Sequence, residues 1–277
     1  MTANHSSNLA ASKALVYECR SIAALRKQLS NKVNASSPET FQTILRLFWT
    51  EILVEDKVAA LVHLKMISHI VDLAGGLARL DSWSVEAGGF GDVDFSCMIL
   101  FQPQFDRTEW APASLTAEWK GRLQPATGDI PTKLTMTPDF AVGPLRGIFE
   151  DLMVFERLRE YVTTNDVAPN DDIFRWRQLQ KSNCDTRLVI LYLDNVGFSS
   201  PAASPYQTPP SACIAAIYWS DSMFGHRGRV HVGPRLLRQL QAELQKEEAS
   251  DNQAEGNSQA DLQLFCLSEL MLRKRHQ

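Results

Sequence analysis

The side chains of this sequence that could perform acid–base chemistry are one histidine and two carboxylates. His63 lies on the inward half of a predicted helix that starts at Glu55-Asp56 and ends at Gly75-Gly76. Burial of Glu51 beside apolar neighbours would raise the pKa of its carboxyl. His63, Glu51 and Asp94 are therefore the catalytic candidates if the chain is an enzyme. We favour structural roles for them: one hydrogen bond across a helix interface for His63, and contact with a neighbouring helix, through His63, for Glu51.

Two aspartates open the apolar run that ends near residue 101. We interpret 92–101 as a short buried helix, with Asp92 as its N-cap and Asp94 favouring the positive end of the helix dipole. A strand is the structural alternative, since periodicity does not separate the two for so short an apolar run. The alternative is a pair of carboxylates for acid–base chemistry, which would need a base from elsewhere in the fold. We favour the cap.

Large aromatic side chains accompany these polar groups. Phe48, Trp49, Phe95 and Phe101 are expected in the core. The sharper hypothesis is that they line a pocket, together with His63, for a small apolar ligand.

The sequence predicts neither a metal site nor a cofactor site. Its five cysteines include no C-x-x-C pair, and zinc loops need ligands at such short spacings. No lysine-serine or lysine-threonine pair follows Gly88-Gly-Phe-Gly91, so this segment is no phosphate-binding loop. Scattered cysteines in odd number fit a reducing compartment.

Charge and hydropathy narrow the function classes. The net charge of the 277 residues is −4, which argues against a nucleic-acid binder with a basic surface. The N-terminus lacks the apolar core of a signal peptide, and no run is apolar enough to span a membrane. We expect a soluble protein of the nucleus or cytoplasm.

Helical periodicity recurs along the chain. Apolar residues at spacings of three and four predict a first helix over 15–29 and a second that begins at Ser37-Pro38-Glu39. Further helices are predicted over 145–161, 173–193 and 234–246, of which the second contains a β-like patch over 188–192. Residues 212–219 form an apolar segment, and the apolar segment over 261–272 should pack on the body. The residues from Trp110 to Pro144 are predicted to form an extended proline-rich connection, and 247–260 a mobile loop.

The predicted fold is all-α, an irregular array of antiparallel helices with long proline-rich connections. A flexible tail over 1–13 would precede one helical domain over 14–277.

The region from Tyr17 to Phe105 resembles the effector, or middle-homology, domain of fungal-specific transcription factors. The residues that carry the resemblance are Tyr17, Arg20, Ile22, Leu25, Pro38, Glu39, Phe41, Leu45, Leu47, Glu51, Asp56, His63-Leu64-Lys65, Ile70-Val71, Gly75-Gly76-Leu77, Asp94, Pro103 and Phe105. Residues 212–218 and 262–267 resemble two later helices of that domain. The resemblance implies an all-α domain that serves regulation, dimerisation and small-molecule sensing.

Two departures from that family bear on function. The family carries an N-terminal binuclear zinc cluster of six cysteines, and here Cys19 alone lies near the start. Ala74 replaces the arginine that often precedes the Gly-Gly pair. We therefore expect no direct sequence-specific DNA binding.

Two functions follow as hypotheses. The first is a transcription-regulating protein without a DNA-reading zinc cluster, which acts through a protein partner, a homodimer or a sensed small apolar ligand. The second is a helical scaffold that has become a metal-independent isomerase or cyclase of an apolar metabolite, as in secondary metabolism. We favour the first, in which the chain is not an enzyme.

Overall fold

The computed structural model describes residues 16, 19–30, 37–54, 56–123, 143–165, 171–197, 208–224 and 232–251. Every regular element within these ranges is helical, which confirms the all-α prediction. The α-helices are α1 (19–29), α2 (Pro38–Leu53), α3 (Lys57–Ala74), α4 (Ser82–Ile99), α5 (Ala117–Arg122), α6 (Gly143–Thr164), α7 (Asp171–Asn195), α8 (Pro210–Phe224) and α9 (Val232–Asp251). Short 3₁₀ turns occur at Leu77–Arg79 and Arg107–Glu109.

The chain forms two compact units, Met1–Gly91 and Asp92–Gln277, whose boundary lies within α4. In the first unit α2 packs on α3. In the second, α6 packs on α7, α7 on α8 and α8 on α9. The predicted tail over 1–13 lies outside the described residues, and the single domain over 14–277 stays a prediction.

Local capping signals set the ends of α2 and α3, as the sequence predicts. The Ser37 hydroxyl accepts a hydrogen bond from the Thr40 amide at 3.2 Å, and Pro38 takes the first helical position. The Asp56 carboxylate caps α3 through the Ala59 amide at 3.0 Å. At the other end of α3, Gly75 has a φ of 88°, a left-handed conformation that glycine adopts without steric cost.

Helix α4 corrects the prediction for residues 92–101. The segment is helical, but the helix begins ten residues earlier, at Ser82, where the Asp81 carboxylate accepts hydrogen bonds from the Ser84 amide and hydroxyl. Asp92 is therefore no N-cap. Three glycines lie inside α4, and glycine in a helix normally costs about 1 kcal/mol relative to alanine.

Close packing explains one of those glycines. A Cβ on Gly91 would lie 2.9 Å from Phe48 Cε1, and Phe48 is fully buried. We expect Gly91→Ala to destabilise the protein by about 1–2 kcal/mol, because overpacking outweighs the gain in helix propensity. Chemical denaturation of both proteins measures this difference.

Gly121, in helix α5, provides the matched control, since a Cβ added there would have no atom within 4 Å. Gly121→Ala should leave stability unchanged or raise it by up to about 1 kcal/mol. Equal stabilisation by both substitutions would show that the Phe48 ring moves aside without loss of unfolding free energy.

The later helices mostly follow the predictions. Those over 145–161, 173–193 and 234–246 are confirmed within the slightly longer α6, α7 and α9, and the apolar segment over 212–219 forms the middle of α8. Residues 252–277, with the predicted apolar segment over 261–272, lie outside the described part of the chain.

Two expectations about connections are wrong in part. The Trp110–Pro144 connection contains helix α5, which Thr116 caps, and α9 extends into the predicted loop as far as Asp251. A hydrogen bond holds the start of the connection: the Trp176 indole N–H donates to the Ala113 carbonyl at 2.8 Å. Beside it lies a small core of Leu115, Leu158 and Ile173.

Of the helices described, none is both long and apolar enough to cross a membrane.

Candidate functional site

The structure brings two of the three acid–base candidates together. His63, on the first half of α3, places Nε2 4.0 Å from Oε1 of Glu51 near the end of α2. This spacing is too long for a hydrogen bond but close enough for electrostatic interaction. Both side chains are mostly buried, with 19% of His63 and 16% of Glu51 exposed. The two side chains therefore face each other across the α2–α3 interface, as expected, but the hydrogen bond predicted for His63 is not formed.

Burial decides the protonation state of His63. Removal of the imidazole from water lowers its pKa, and the neighbouring Glu51 charge raises it by a smaller amount. The net shift is downward, so the ring is neutral at pH 7. Its Nδ1 is buried and has no hydrogen-bond partner.

A test of the structural role follows from this geometry. We expect His63→Ala to lower the free energy of unfolding by about 1–2 kcal/mol, because it removes a packed ring and leaves Glu51 without its neighbour. Arg46→Ala, at an exposed position of α2, is the control and should change it by less than about 0.5 kcal/mol. Equal stability of the His63 variant and the wild type would refute the structural role.

The aromatic candidates divide between the two units. Phe48 and Trp49 belong to the first, where their rings meet edge to face with centroids 5.6 Å apart. Phe48 is fully buried and Trp49 half-buried. Phe95 belongs to the second unit and is also fully buried. Core packing is thus the observed role of Phe48 and Phe95, whereas the core prediction for Phe101 is wrong, since its side chain is 37% exposed just after α4. Pocket lining stays a hypothesis.

The two neighbouring aspartates behave differently. Asp94 is half-buried in the second unit. Asp92 is 99% buried within α4, and its carboxylate faces the chain that follows the helix. It accepts hydrogen bonds from the Gln104 amide at 2.8 Å and the Phe105 amide at 2.9 Å. Asp92 therefore fixes the segment after α4 rather than capping a helix.

This arrangement holds a sharp reversal of the chain. Leu100, just after α4, has a φ of 51°, in the left-handed region that non-glycine residues rarely adopt. The Phe101 amide bonds back to the Ser96 carbonyl at 3.1 Å, which closes the helix end. The Asp92 carboxylate then accepts the Gln104 and Phe105 amides of the returning chain, which helps to offset the cost of the Leu100 conformation.

The environment of Asp92 raises its pKa to about 6. Burial disfavours the charged carboxylate most strongly, and the amides of Gln104 and Phe105 and the Ser96 hydroxyl partly oppose this effect. A carboxyl with this pKa has the protonation range of a general acid or base, but its oxygens already accept backbone hydrogen bonds.

A buried polar cluster in the second unit was missed from the sequence. Lys181 and Asp185, one turn apart on α7, form an ion pair with Nζ and Oδ2 2.5 Å apart, and only 4% and 2% of their side chains are exposed. The Ser220 hydroxyl of α8 donates to the other oxygen of Asp185 at 2.6 Å. The cluster therefore joins α7 to α8 through three side chains that satisfy one another.

Polar contacts fix α7 to its other neighbours as well. Asp151 of α6 pairs with Arg187, and Arg107 donates to the Asn183 amide oxygen at 3.1 Å. All six residues from 181 to 186 are buried, so neighbouring elements surround this part of α7. A carboxylate also caps α8, where Glu247 of α9 accepts from the Ser211 amide and hydroxyl at 3.1 and 2.6 Å.

Three of the four described cysteines have buried thiols. Cys97, Cys184 and Cys213 are buried, whereas Cys19 is exposed. Burial, with Glu247 nearby, raises the pKa of Cys213 to about 12, and burial likewise raises that of Cys184. Their thiols stay protonated at neutral pH. Among the described residues, no three His, Cys, Asp or Glu side chains are grouped as a metal site.

Comparison with known proteins yields no family model, no curated protein and no solved structure that matches this chain.

Proposed function

We propose that this chain is a regulatory helical protein of the fungal transcription-factor effector type, which acts in the nucleus or cytoplasm through protein contacts and does not itself read DNA. One observation carries the proposal: five of the nine exposed large hydrophobic side chains of the described residues lie between 53 and 73. They are Leu53, Val54, Val58, Val62 and Leu73. Exposed apolar residues in such concentration mark interaction surfaces.

The buried polar groups support the same proposal. Asp92 accepts hydrogen bonds from backbone amides, and Glu247 caps a helix. Asp185 forms an ion pair with Lys181 and accepts a hydrogen bond from the Ser220 hydroxyl. Each of these carboxylates has its oxygens occupied by partners within its own unit. They stabilise helices and their connections, which is what a non-catalytic helical domain requires.

A tethering experiment tests the proposal. The full chain is fused to an unrelated sequence-specific DNA-binding domain, and a reporter gene with the matching sites is measured in cells. We expect the fusion to change reporter output, and Val58→Asp with Val62→Asp to remove that change. Arg46→Asp, at an exposed site of α2 outside the apolar segment, is the control at equal protein level. A fusion without effect on the reporter would contradict the proposal.

The second candidate function, a metal-independent isomerase or cyclase of an apolar metabolite, has one observation in its favour. The buried Nδ1 of the neutral His63 has no partner, so one hydrogen-bonding position of the ring is left over for a ligand that displaces its neighbours. Native mass spectrometry of the full chain after incubation with cell extract tests this function. A retained small molecule that His63→Ala releases would support it, and a clean apo mass would count against it.

A further inference from the structure

Helix α3 has an apolar stripe on the side opposite its buried face. Ala60, Leu64, Ile67 and Val71 are buried. At 100° per residue, a second set of positions lies within an arc of about 80° on another side of the helix. This set, the outer stripe, consists of Val58, Val62, Met66, His69 and Leu73.

The outer stripe is exposed for almost its whole length. Val58 is 77% exposed, Val62 56% and Leu73 55%, His69 is exposed and Met66 half-buried. A helix needs one apolar face to join a fold, so a second one is available for a partner.

Charges along one edge of the stripe indicate which partner fits. Lys65 and Asp72 are both exposed, and both border the stripe on the same side, two turns apart. In an antiparallel pair of identical helices, like edges meet across the two-fold axis. A lysine and an aspartate on the same edge can therefore pair with each other between two copies.

One register satisfies both the apolar and the charged positions. With the two-fold axis between residues 67 and 68, Val62 of each copy lies opposite Leu73 of the other, and Met66 opposite His69. Lys65 then lies opposite Asp72 of the second copy, offset along the axis by about 3 Å, which a lysine side chain spans. The symmetry produces this ion pair twice.

We propose that the outer stripe of α3 is a self-association surface, on which a second copy of this chain binds in antiparallel orientation. The inference rests on the proposal that this region is a contact surface, and it names the partner. Apolar contacts of Val62, Met66 and Leu73 supply the attraction, and the two Lys65–Asp72 pairs select the register.

Charge reversal in the full-length protein tests the register. Sedimentation velocity over a concentration series gives the dimer dissociation constant for the wild type and the variants. Lys65→Glu places a carboxylate opposite Asp72, and Asp72→Lys places an ammonium opposite Lys65. Each single change should weaken association about tenfold, since two attractive pairs become repulsive. The double variant should restore wild-type association.

Two further variants test the apolar contact. Val62→Lys, at a solvent-exposed site that tolerates charge in the monomer, should abolish the dimer. Arg46→Glu, exposed on α2 outside the stripe, should leave it unchanged. A monomer at every concentration would overturn the inference, as would a dimer that survives Val62→Lys or a double charge reversal without rescue. Because this assay measures mass and not transcription, its failure is distinct from failure of the reporter experiment.

Discussion

Replacement of Asp185 by alanine should destabilise the protein by about 3–5 kcal/mol, because it leaves a buried ammonium without its counter-charge. Only 4% of the Lys181 side chain is exposed, and Asp185 is its ion-pair partner. The same substitution removes the acceptor of the fully buried Ser220 hydroxyl. Urea denaturation followed by circular dichroism measures the loss, and the retained helical signal in water shows whether the variant still folds.

Two companion variants separate the charge effect from the hydrogen-bond effect. Asp185→Asn keeps an oxygen for Ser220 but removes the charge that Lys181 needs, so it should also be strongly destabilising. Lys181→Met combined with Asp185→Leu removes both charges at similar volume and should recover more than half of the loss. A loss below about 1 kcal/mol for Asp185→Ala would mean that Lys181 reaches water when its partner is absent.

The sequence could not identify this cluster because its signature is ambiguous. A lysine and an aspartate four residues apart are the usual pattern of a solvent-exposed helical ion pair. What distinguishes Lys181 and Asp185 is burial on every side of α7, and that depends on elements distant in the chain. Ser220, 35 residues away, could be assigned to the cluster only from the packing of α7 on α8.

Elements whose ends depend on local chemistry were predicted well. Ser37, Asp56 and Gly75 act within one turn of their own helix, so neighbouring residues are sufficient to identify them. Helix α4 was predicted only in part, because three glycines close together are the usual pattern of a loop. One of them, Gly91, lies in the helix because the ring of Phe48 packs against it, and that contact is not visible in the local sequence. The proximity of His63 to Glu51 was predicted, since a short turn joins their two helices and brings facing residues together, but the predicted hydrogen bond was not, because its length depends on the packing of the two side chains.

The misassigned role of Asp92 has a similar cause. An aspartate ahead of an apolar run is the usual pattern of an N-cap, but the donors that Asp92 binds are twelve and thirteen residues further on. The chain reversal at Leu100 brings them back to the helix. Nothing in the local sequence reveals that reversal.

Burial of Asp92 should make its contribution to the stability of the protein fall as pH rises from about 4 to 6. The pKa of Asp92 is about 6 in the folded protein and 3.8 for an unperturbed aspartate, so the folded state binds the proton more tightly. Its stabilising contribution is complete below the unfolded pKa and is lost as pH rises through the folded pKa. The loss amounts to about 3 kcal/mol, since one pKa unit corresponds to about 1.4 kcal/mol.

Asp92→Asn isolates this effect, because it replaces the carboxyl by a group of the same shape that does not titrate. The difference in unfolding free energy between wild type and variant is measured at intervals from pH 4 to 7, where contributions of other carboxyls cancel. We expect the wild type to lose stability relative to the variant over this range, mostly below pH 6. A difference that grows in favour of the wild type would mean that the Gln104 and Phe105 amides stabilise the carboxylate by more than burial penalises it. Burial and the backbone hydrogen bonds shift the pKa of the same carboxyl in opposite directions. The slope of the difference in unfolding free energy against pH therefore shows which of the two is larger.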